Sequence, residues 1–248
     1  MEHLSSLKNP KIQTWKSLKD RKGRKETGCF LVEGRKMVEE ALASSFPVEA
    51  VLVDAARVND FALPGEIPVY TMPDHVLAAV CDTRTPQGIA AVVRMTDNAH
   101  LGEKLVAMDG VQDPGNVGTI IRTADAAGME GVVLSSQCAD VFSPKVLRAT
   151  MGSIFRMGIR VTEDMPAAMT ELVQAGYSVI SSQLDGEPFY ERSPVGEKFC
   201  LVIGSEGNGV TTEVQATATH RVKLPMRGGA ESLNAAVAAG IMMYELMR

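Results

Sequence analysis

Cysteine is scarce in this 248-residue chain, and so is any arrangement of it that does chemistry. Cys29, Cys81, Cys138 and Cys200 are far apart, form no CxxC pair and have no histidine nearby at metal-ligand spacing, which argues against structural disulfides and against a zinc site. The N-terminus, MEHLSSLKNPKIQTW, lacks the apolar core of a signal peptide, and the longest apolar stretch, near AAVAAGIMMY, is too short to span a bilayer. A cytoplasmic protein with no membrane partner is the expectation. Internal repeats and low-complexity tracts are also missing. So is a GxGxxG after an early strand, which disfavours a dinucleotide-dependent oxidoreductase, and so is the Lys-Ser/Thr of a P-loop. A net charge of −5 excludes a uniformly basic nucleic-acid binder.

What is present is the balance of a globular protein, 45% hydrophobic and 22% charged, long enough for one large domain or two ordinary ones. The charge is unevenly placed. Lys8, Lys11, Lys16, Lys19, Arg21, Lys22, Arg24 and Lys25 are opposed within their span only by Asp20, as either a solvated surface helix or a phosphate-binding patch. PKIQTWKSLKD has helical spacing of Ile12, Trp15 and Leu18, and RKGRKETG is expected to break that helix. Strands are expected at CFLVE, VEAVLVD, IPVYTM and GIAAVVRM, alternating with helices at about 35–43, 54–60 and after Pro73. That pattern describes a small α/β domain, residues 1–95, ended by the polar, aperiodic stretch 96–104. A second α/β domain, 105–248, follows, with strands at KLVAMDG, GVVLSS, YSVISSQ, FCLVIG and HRVKLPM. Its helices are NVGTIIRTADAAG, SPKVLRATMG, 166–175, a short one after Gly209, and about 233–247.

Ligands of open α/β folds lie beyond the carboxyl ends of the strands, so the segments that follow the strands matter most. After LVAMD comes Asp113-Pro114-Gly115-Asn116, a turn with Asn116 as expected N-cap, then a helix whose Val117, Ile120, Ile121 and Ala124 share one face. Arg122 lies off that face, where spacing alone makes it a solvated residue loosely paired with Asp125. After FCLVI comes GSEGNG, with Gly204, Gly207 and Gly209 around Glu206, a loop able to bend sharply or approach a ligand closely. After HRVKL comes PMRGGAESLNAAVAAGIMMYELM, with Ser232 as expected N-cap and Asn234 in the first turn, where its amide must find a partner. That last helix is apolar on nearly every side, which implies burial in a core or a subunit interface.

Taken in order, NVGTIIRTADAAG, LVIGSEGNGV and LPMRGGAESLNAAVAAGIMMYE resemble the three motifs of the SpoU/TrmH-type family of RNA 2′-O-ribose methyltransferases, within the SPOUT superfamily. SPKVLRATMGSIFR resembles the segment after the first motif in members acting on ribosomal RNA, and the first domain is loosely similar to the small RNA-binding domain many members carry. The resemblance implies a C-terminal α/β SPOUT domain with a trefoil knot, and S-adenosylmethionine bound in the knot by Gly204, Leu224 and Leu233 with Met226 nearby. It implies a catalytic cluster of Asn116, Arg122, Glu206, Ser232 and Asn234, and a homodimer with its site completed near the subunit interface. The implied substrate is RNA, ribosomal ahead of transfer RNA, with Lys8, Lys11, Arg21, Lys22, Arg24 and Lys25 as expected phosphate contacts and no metal. A non-catalytic RNA-binding relative is the alternative.

Overall fold

Runs of β-branched and apolar residues become strands, and helices cover them, in the computed structural model, which describes residues 1–96 and 101–248. The polar stretch 96–104 falls partly on 97–100, outside the described residues. Two compact units form: Met1–Thr96 with Phe142–Phe155, and Asp97–Val141 with Arg156–Arg248.

The first unit begins with β1 (Glu2–His3), α1 (Pro10–Ser17), α2 (Arg21–Thr27), β2 (Cys29–Glu33) and α3 (Arg35–Leu42). It continues through β3 (Val48–Asp54), a 3-10 turn at Ala55–Asp60, β4 (Val69–Met72), α4 (Asp74–Val80) and β5 (Ile89–Arg94). The sheet order is β1-β4-β3-β5-β2, with β5 antiparallel to both neighbours. Period-two alternation puts Leu31, Leu52, Ala90 and Val92 on one face, beneath Ile12 and Trp15 of α1 and Leu77 and Val80 of α4.

α2 occupies RKGRKETG, the segment expected to break the helical run. The chain does turn after Ser17, but helix resumes because Gly23 fits where a Cβ would lie 2.1 Å from the Ser17 carbonyl oxygen. Arg24 then turns inward, and its Nη1 donates to the carbonyls of Leu18 and Lys19, both at 2.7 Å, satisfying acceptors left open where α1 ends. At 3% exposure Arg24 is a buried cap, so the expectation that it contacts RNA is corrected.

The second unit holds β6 (Lys104–Asp109), α5 (Pro114–Ala127) and β7 (Gly131–Ser135); α6 (Pro144–Thr150) lies in the segment that belongs to the first unit. It resumes with β8 (Gly158–Thr162), α7 (Met165–Gln174), β9 (Ser178–Pro188), β10 (Phe199–Gly204), α8 (Thr212–Thr217), β11 (His220–Lys223) and α9 (Ala235–Leu246). All six strands are parallel, in the order β11-β9-β10-β6-β7-β8. Such a sheet is buried on both faces. Met165, Ala168, Met169 and Leu172 of α7 and Val214 of α8 cover Leu105, Ala107, Val179, Cys200 and Val202. α5 and α9 pack on each other closely enough that a Cβ on Gly240 would touch Thr123 at 3.4 Å.

β9 outruns its expected end at Gln183. β11 pairs with it through Arg221↔Ser181 and then Val222↔Glu187, so residues 182–186 leave the ladder and rejoin it. The chain winds from β6 outward through β7 to β8 and then returns to β9 and β10 on the other side of β6. The carboxyl ends of β6 and β10, in register at Asp109 and Gly204, therefore mark the point where the winding reverses.

Candidate active site

Two loops leave that point side by side. β6 ends at Asp109, a buried carboxylate whose Oδ2 accepts from the Thr211 amide at 2.8 Å and the Thr211 hydroxyl at 2.7 Å. The tether fastens the far end of the loop after β10 to the neighbouring strand. Sequence reasoning missed this pair; its signal was an acid closing an apolar strand, just before Gly110.

α5 starts one turn earlier than expected. Asp113, not Asn116, is the N-cap, accepting from the Asn116 amide at 2.8 Å, with Pro114 in the first turn. Relieved of capping, the Asn116 carboxamide reaches across to the loop after β10. That loop is a tight hairpin in which Ser205 and Gly209 exchange backbone hydrogen bonds at 3.0 Å and Glu206 sits at the tip. It folds back on Gly204 so closely that a Cβ there would lie 1.9 Å from the Gly209 carbonyl carbon, so only glycine fits.

The third segment arrives at the start of α9. Asn234, not Ser232, is the N-cap, its Oδ1 accepting from the amides of Ala236 at 2.9 Å and Val237 at 3.3 Å. Because the oxygen faces the helix, Nδ2 must face outward, and it donates to Asn116 Oδ1 at 3.0 Å. Asn116 Nδ2 in turn donates to Glu206 Oε1 at 2.6 Å. The cap thus orients Asn234, Asn234 orients Asn116, and Asn116 holds the Glu206 carboxylate. Three segments far apart in sequence are joined by one directional chain of hydrogen bonds.

Beside it opens a cleft of about 660 Å³, within the range of small-molecule sites. Gly204, Leu224, Met226 and Leu233, the residues expected to hold a cofactor, all line it, together with Glu206 and Ser232. Apolar walls also come from Ile203 and Val210, while Asp185, Glu206 and Glu231 outnumber Lys223. The lining is therefore suited to a ligand with an apolar or aromatic body and a positive charge.

Arg122 stands apart from this cluster. Its expected partner Asp125 is engaged by Arg156 instead, through Nη2 at 2.7 Å and Nε at 3.0 Å. Arg122 is exposed, and among the described residues nothing hydrogen-bonds or ion-pairs with it, Glu206 and Asn116 included. In the first unit the basic run is largely occupied by structure. Lys11 bridges Glu2 at 2.8 Å and the Tyr70 hydroxyl at 3.0 Å, Lys19 donates to the Ala79 carbonyl at 2.8 Å, and Lys22 pairs with Glu26 at 3.7 Å. Lys8 and Lys25 are exposed.

Comparison with known proteins gives two family matches: the SpoU rRNA Methylase family over residues 103–244 and the MRM3-like substrate binding domain over residues 9–91. Among curated proteins, the Bacillus subtilis 23S rRNA (guanosine(2553)-2′-O)-methyltransferase RlmP is 41% identical across 99% of both chains. Among solved structures, an AdoMet-bound rRNA methyltransferase from Sinorhizobium meliloti is 31% identical, with a TM-score of 0.86, over 98% of this chain and 96% of that one. The SpoU methyltransferase AviRb from Streptomyces viridochromogenes, solved with AdoMet, is 27% identical with a TM-score of 0.86 over 97% of both chains.

Proposed function

The chain belongs to the SpoU rRNA methylase family, and from that premise we propose that it methylates a ribose 2′-hydroxyl of RNA, ribosomal RNA ahead of transfer RNA, in the cytoplasm. The observation that carries this reading is the hydrogen-bonded chain Asn234–Asn116–Glu206 at the edge of the cleft lined by Gly204, Leu224, Met226 and Leu233.

The cleft fits S-adenosylmethionine. Its apolar side chains suit a purine, and its excess of carboxylates suits a sulfonium. The cofactor supplies an activated methyl group on a good leaving group. The segment 224–234, which lines the cleft and leads into α9, we take to be threaded as the family's trefoil knot.

The chain's own residues must position the ribose, exclude water and stabilise the charge that develops on oxygen. Arg122 has the properties of an anchor: an exposed, unpaired guanidinium whose planar fork matches a phosphate bidentately. Guanidinium groups serve as cationic donors, so in this reading Arg122 grips the phosphate beside the target ribose and stabilises the oxyanion and does not act as the base. Glu206, held by Asn116, faces the cleft as its fixed carboxylate, and Ser232 adds a hydroxyl to the same wall.

We place the site in a homodimer. The outward face of α9 carries Val237, Ile241 and Tyr244 at helical spacing, with Leu233 just before it, all exposed. A second copy on that stripe would cover it, and we assign the completion of the site by Arg122 to that partner subunit, since among the described residues Arg122 makes no hydrogen bond or ion pair within its own protomer. The two units also differ in charge: the first holds fifteen of the 25 Lys and Arg against twelve of the 30 Asp and Glu, which supports assigning RNA capture to it. Incubation with labelled S-adenosylmethionine and 23S ribosomal RNA, followed by alkaline hydrolysis, tests the reading. Label in alkali-resistant dinucleotides is expected; label in a base refutes ribose methylation, and no transfer to ribosomal or transfer RNA leaves only a binding role.

A further inference from the structure

The first unit carries a second basic surface, separate from the Lys8–Lys25 run, built around the loop 82–87. Glu33 fixes that loop by accepting from the amides of Asp82, at 2.6 Å, and Thr83, at 3.1 Å, and from the Thr83 hydroxyl at 2.7 Å. Three arginines from other segments then converge on it. The Arg35 amide donates to Gln87 Oε1 at 3.2 Å, Arg57 Nη1 donates to the Gln87 carbonyl at 2.8 Å, and Arg148 pairs with Asp82 at 2.8 Å. Arg35 and Arg57 are further ordered by Asp60, through its carbonyl at 2.7 Å and its carboxylate at 3.0 Å, and both guanidinium groups lie within 6 Å of the Phe61 ring centroid, at 5.1 and 5.7 Å. At the tip of the loop Arg84 is exposed, and Lys36 is exposed beside Arg35; among the described residues neither has a hydrogen-bond or ion-pair partner.

We propose that this rim, formed by Arg35, Lys36, Arg57, Arg84 and Arg148, is the surface that grips the phosphodiester backbone of the RNA. The inference rests on the RNA-methylating reading for its ligand and deepens it by naming where the substrate is held. The five cations of the rim outnumber the carboxylates at its base, Glu33, Asp60 and Asp82, so the surface retains a positive excess. The guanidinium groups of Arg35 and Arg57 are stacked on Phe61 and hydrogen-bonded, and that of Arg148 is paired, before any ligand arrives, which lowers the ordering cost of binding a polyanion. In the Lys8–Lys25 run Arg24 is buried and Lys11, Lys19 and Lys22 are engaged, and among the described residues the remaining Lys8, Lys16 and Lys25 side chains are held by no ring or hydrogen bond of the kind that orders the rim. α6, which supplies Arg148, is drawn from the second half of the chain, and an RNA surface gives that excursion a purpose.

The test is filter binding of in vitro transcribed 23S ribosomal RNA across a salt series by the full-length protein. Lys36→Ala/Arg84→Ala removes two charges that make no hydrogen bond or ion pair among the described residues, and Lys8→Ala/Lys25→Ala removes the same charge from the other run. The rim variant is expected to bind about tenfold more weakly at 0.15 M salt, with the slope of log affinity against log salt reduced by roughly one per residue. Thermal melting and S-adenosylmethionine affinity should stay at the wild-type values. A rim variant that binds as tightly as wild type, or one weakened no more than the Lys8/Lys25 variant, overturns the proposal. Rim-dependent binding by a wild-type protein that transfers no methyl group would keep the rim and reject the catalytic reading.

Discussion

Replacing Asn234 by aspartate changes one group and leaves the shape of the side chain intact. The carboxylate still caps α9 through Ala236 and Val237, so the contribution of about 1 kcal/mol that a good cap makes is retained. The outward Nδ2, however, becomes an oxygen facing Asn116 Oδ1 at the 3.0 Å where a hydrogen bond stood. Asn116 can restore that contact only by flipping its amide, which turns its own oxygen toward Glu206. One hydrogen bond must be lost in either state, at about 1–3 kcal/mol, which corresponds to cofactor binding on the order of 10- to 100-fold weaker. Asn234→Asp should therefore melt within a few degrees of wild type and bind S-adenosylmethionine poorly by titration calorimetry. Glu206→Gln should rescue it: with Asn116 flipped, the amide introduced at position 206 donates where the Glu206 carboxylate accepted, and the chain runs in the opposite direction. The double variant should bind the cofactor better than Asn234→Asp alone, although the Glu206 charge is gone. Strictly additive losses in the double-mutant cycle would refute a directional relay.

In the proposed homodimer, mixing the Arg122→Ala and Glu206→Ala proteins should recover about one quarter of wild-type activity, since half of the dimers would be mixed and each of those would have one complete site; no recovery means that Arg122 serves its own protomer. The pH–rate profile should lose no ionisation in Arg122→Lys, because Arg122 is assigned to hold a phosphate and not to take a proton, and an ionisation that vanishes would identify Arg122 as the base. Arg24→Ala should cost about 1–3 kcal/mol in urea denaturation, by leaving the Leu18 and Lys19 carbonyls unsatisfied, while S-adenosylmethionine affinity stays unchanged. Burial pushes the Cys200 thiol up to about 12, whereas an unfolded thiol ionises near 9. Stability should be insensitive to this group below about pH 8 and fall by about 1.4 kcal/mol per pH unit between those values, a slope that Cys200→Ala removes.

The sheet strands and the long helices were legible because each is a run whose period matches its burial. Val117, Ile120, Ile121 and Ala124 line one buried face of α5, and Gly128 ends it in a left-handed conformation, as the sequence predicts. α6 starts where the sequence places it, at Ser143 and Pro144, but the starts of α5 and α9 were legible only to within a turn. Asp113 and Asn116, like Ser232 and Asn234, are all competent caps; Asp113 frees Asn116 to reach Glu206, whereas Asn234 caps α9 with its oxygen and reaches Asn116 with its nitrogen. α2 was illegible because its Gly23 and Arg24 answer to the Ser17 and Leu18 carbonyls, a contact with no local signature. The place of 142–155 in the first unit was equally hidden, since strand–helix alternation does not say which sheet a helix joins. For the site, the motif order named candidates, of which the structure joins Asn116, Glu206 and Asn234 and leaves Arg122 apart, and it added the direction of the bonds and the tether of Thr211 to Asp109.

The most direct test of RNA ribose methylation is mass-spectrometric mapping of 23S ribosomal RNA from cells lacking this protein, before and after incubation with the purified enzyme and S-adenosylmethionine. The expected result is one nucleotide that lacks its 2′-O-methyl group in the deletion strain and regains it in vitro, and that wild-type protein modifies but the Arg122→Ala variant does not. An unchanged methylation map in the deletion strain's 23S ribosomal and transfer RNA, or a methyl group restored on a base and not on a ribose, would contradict it.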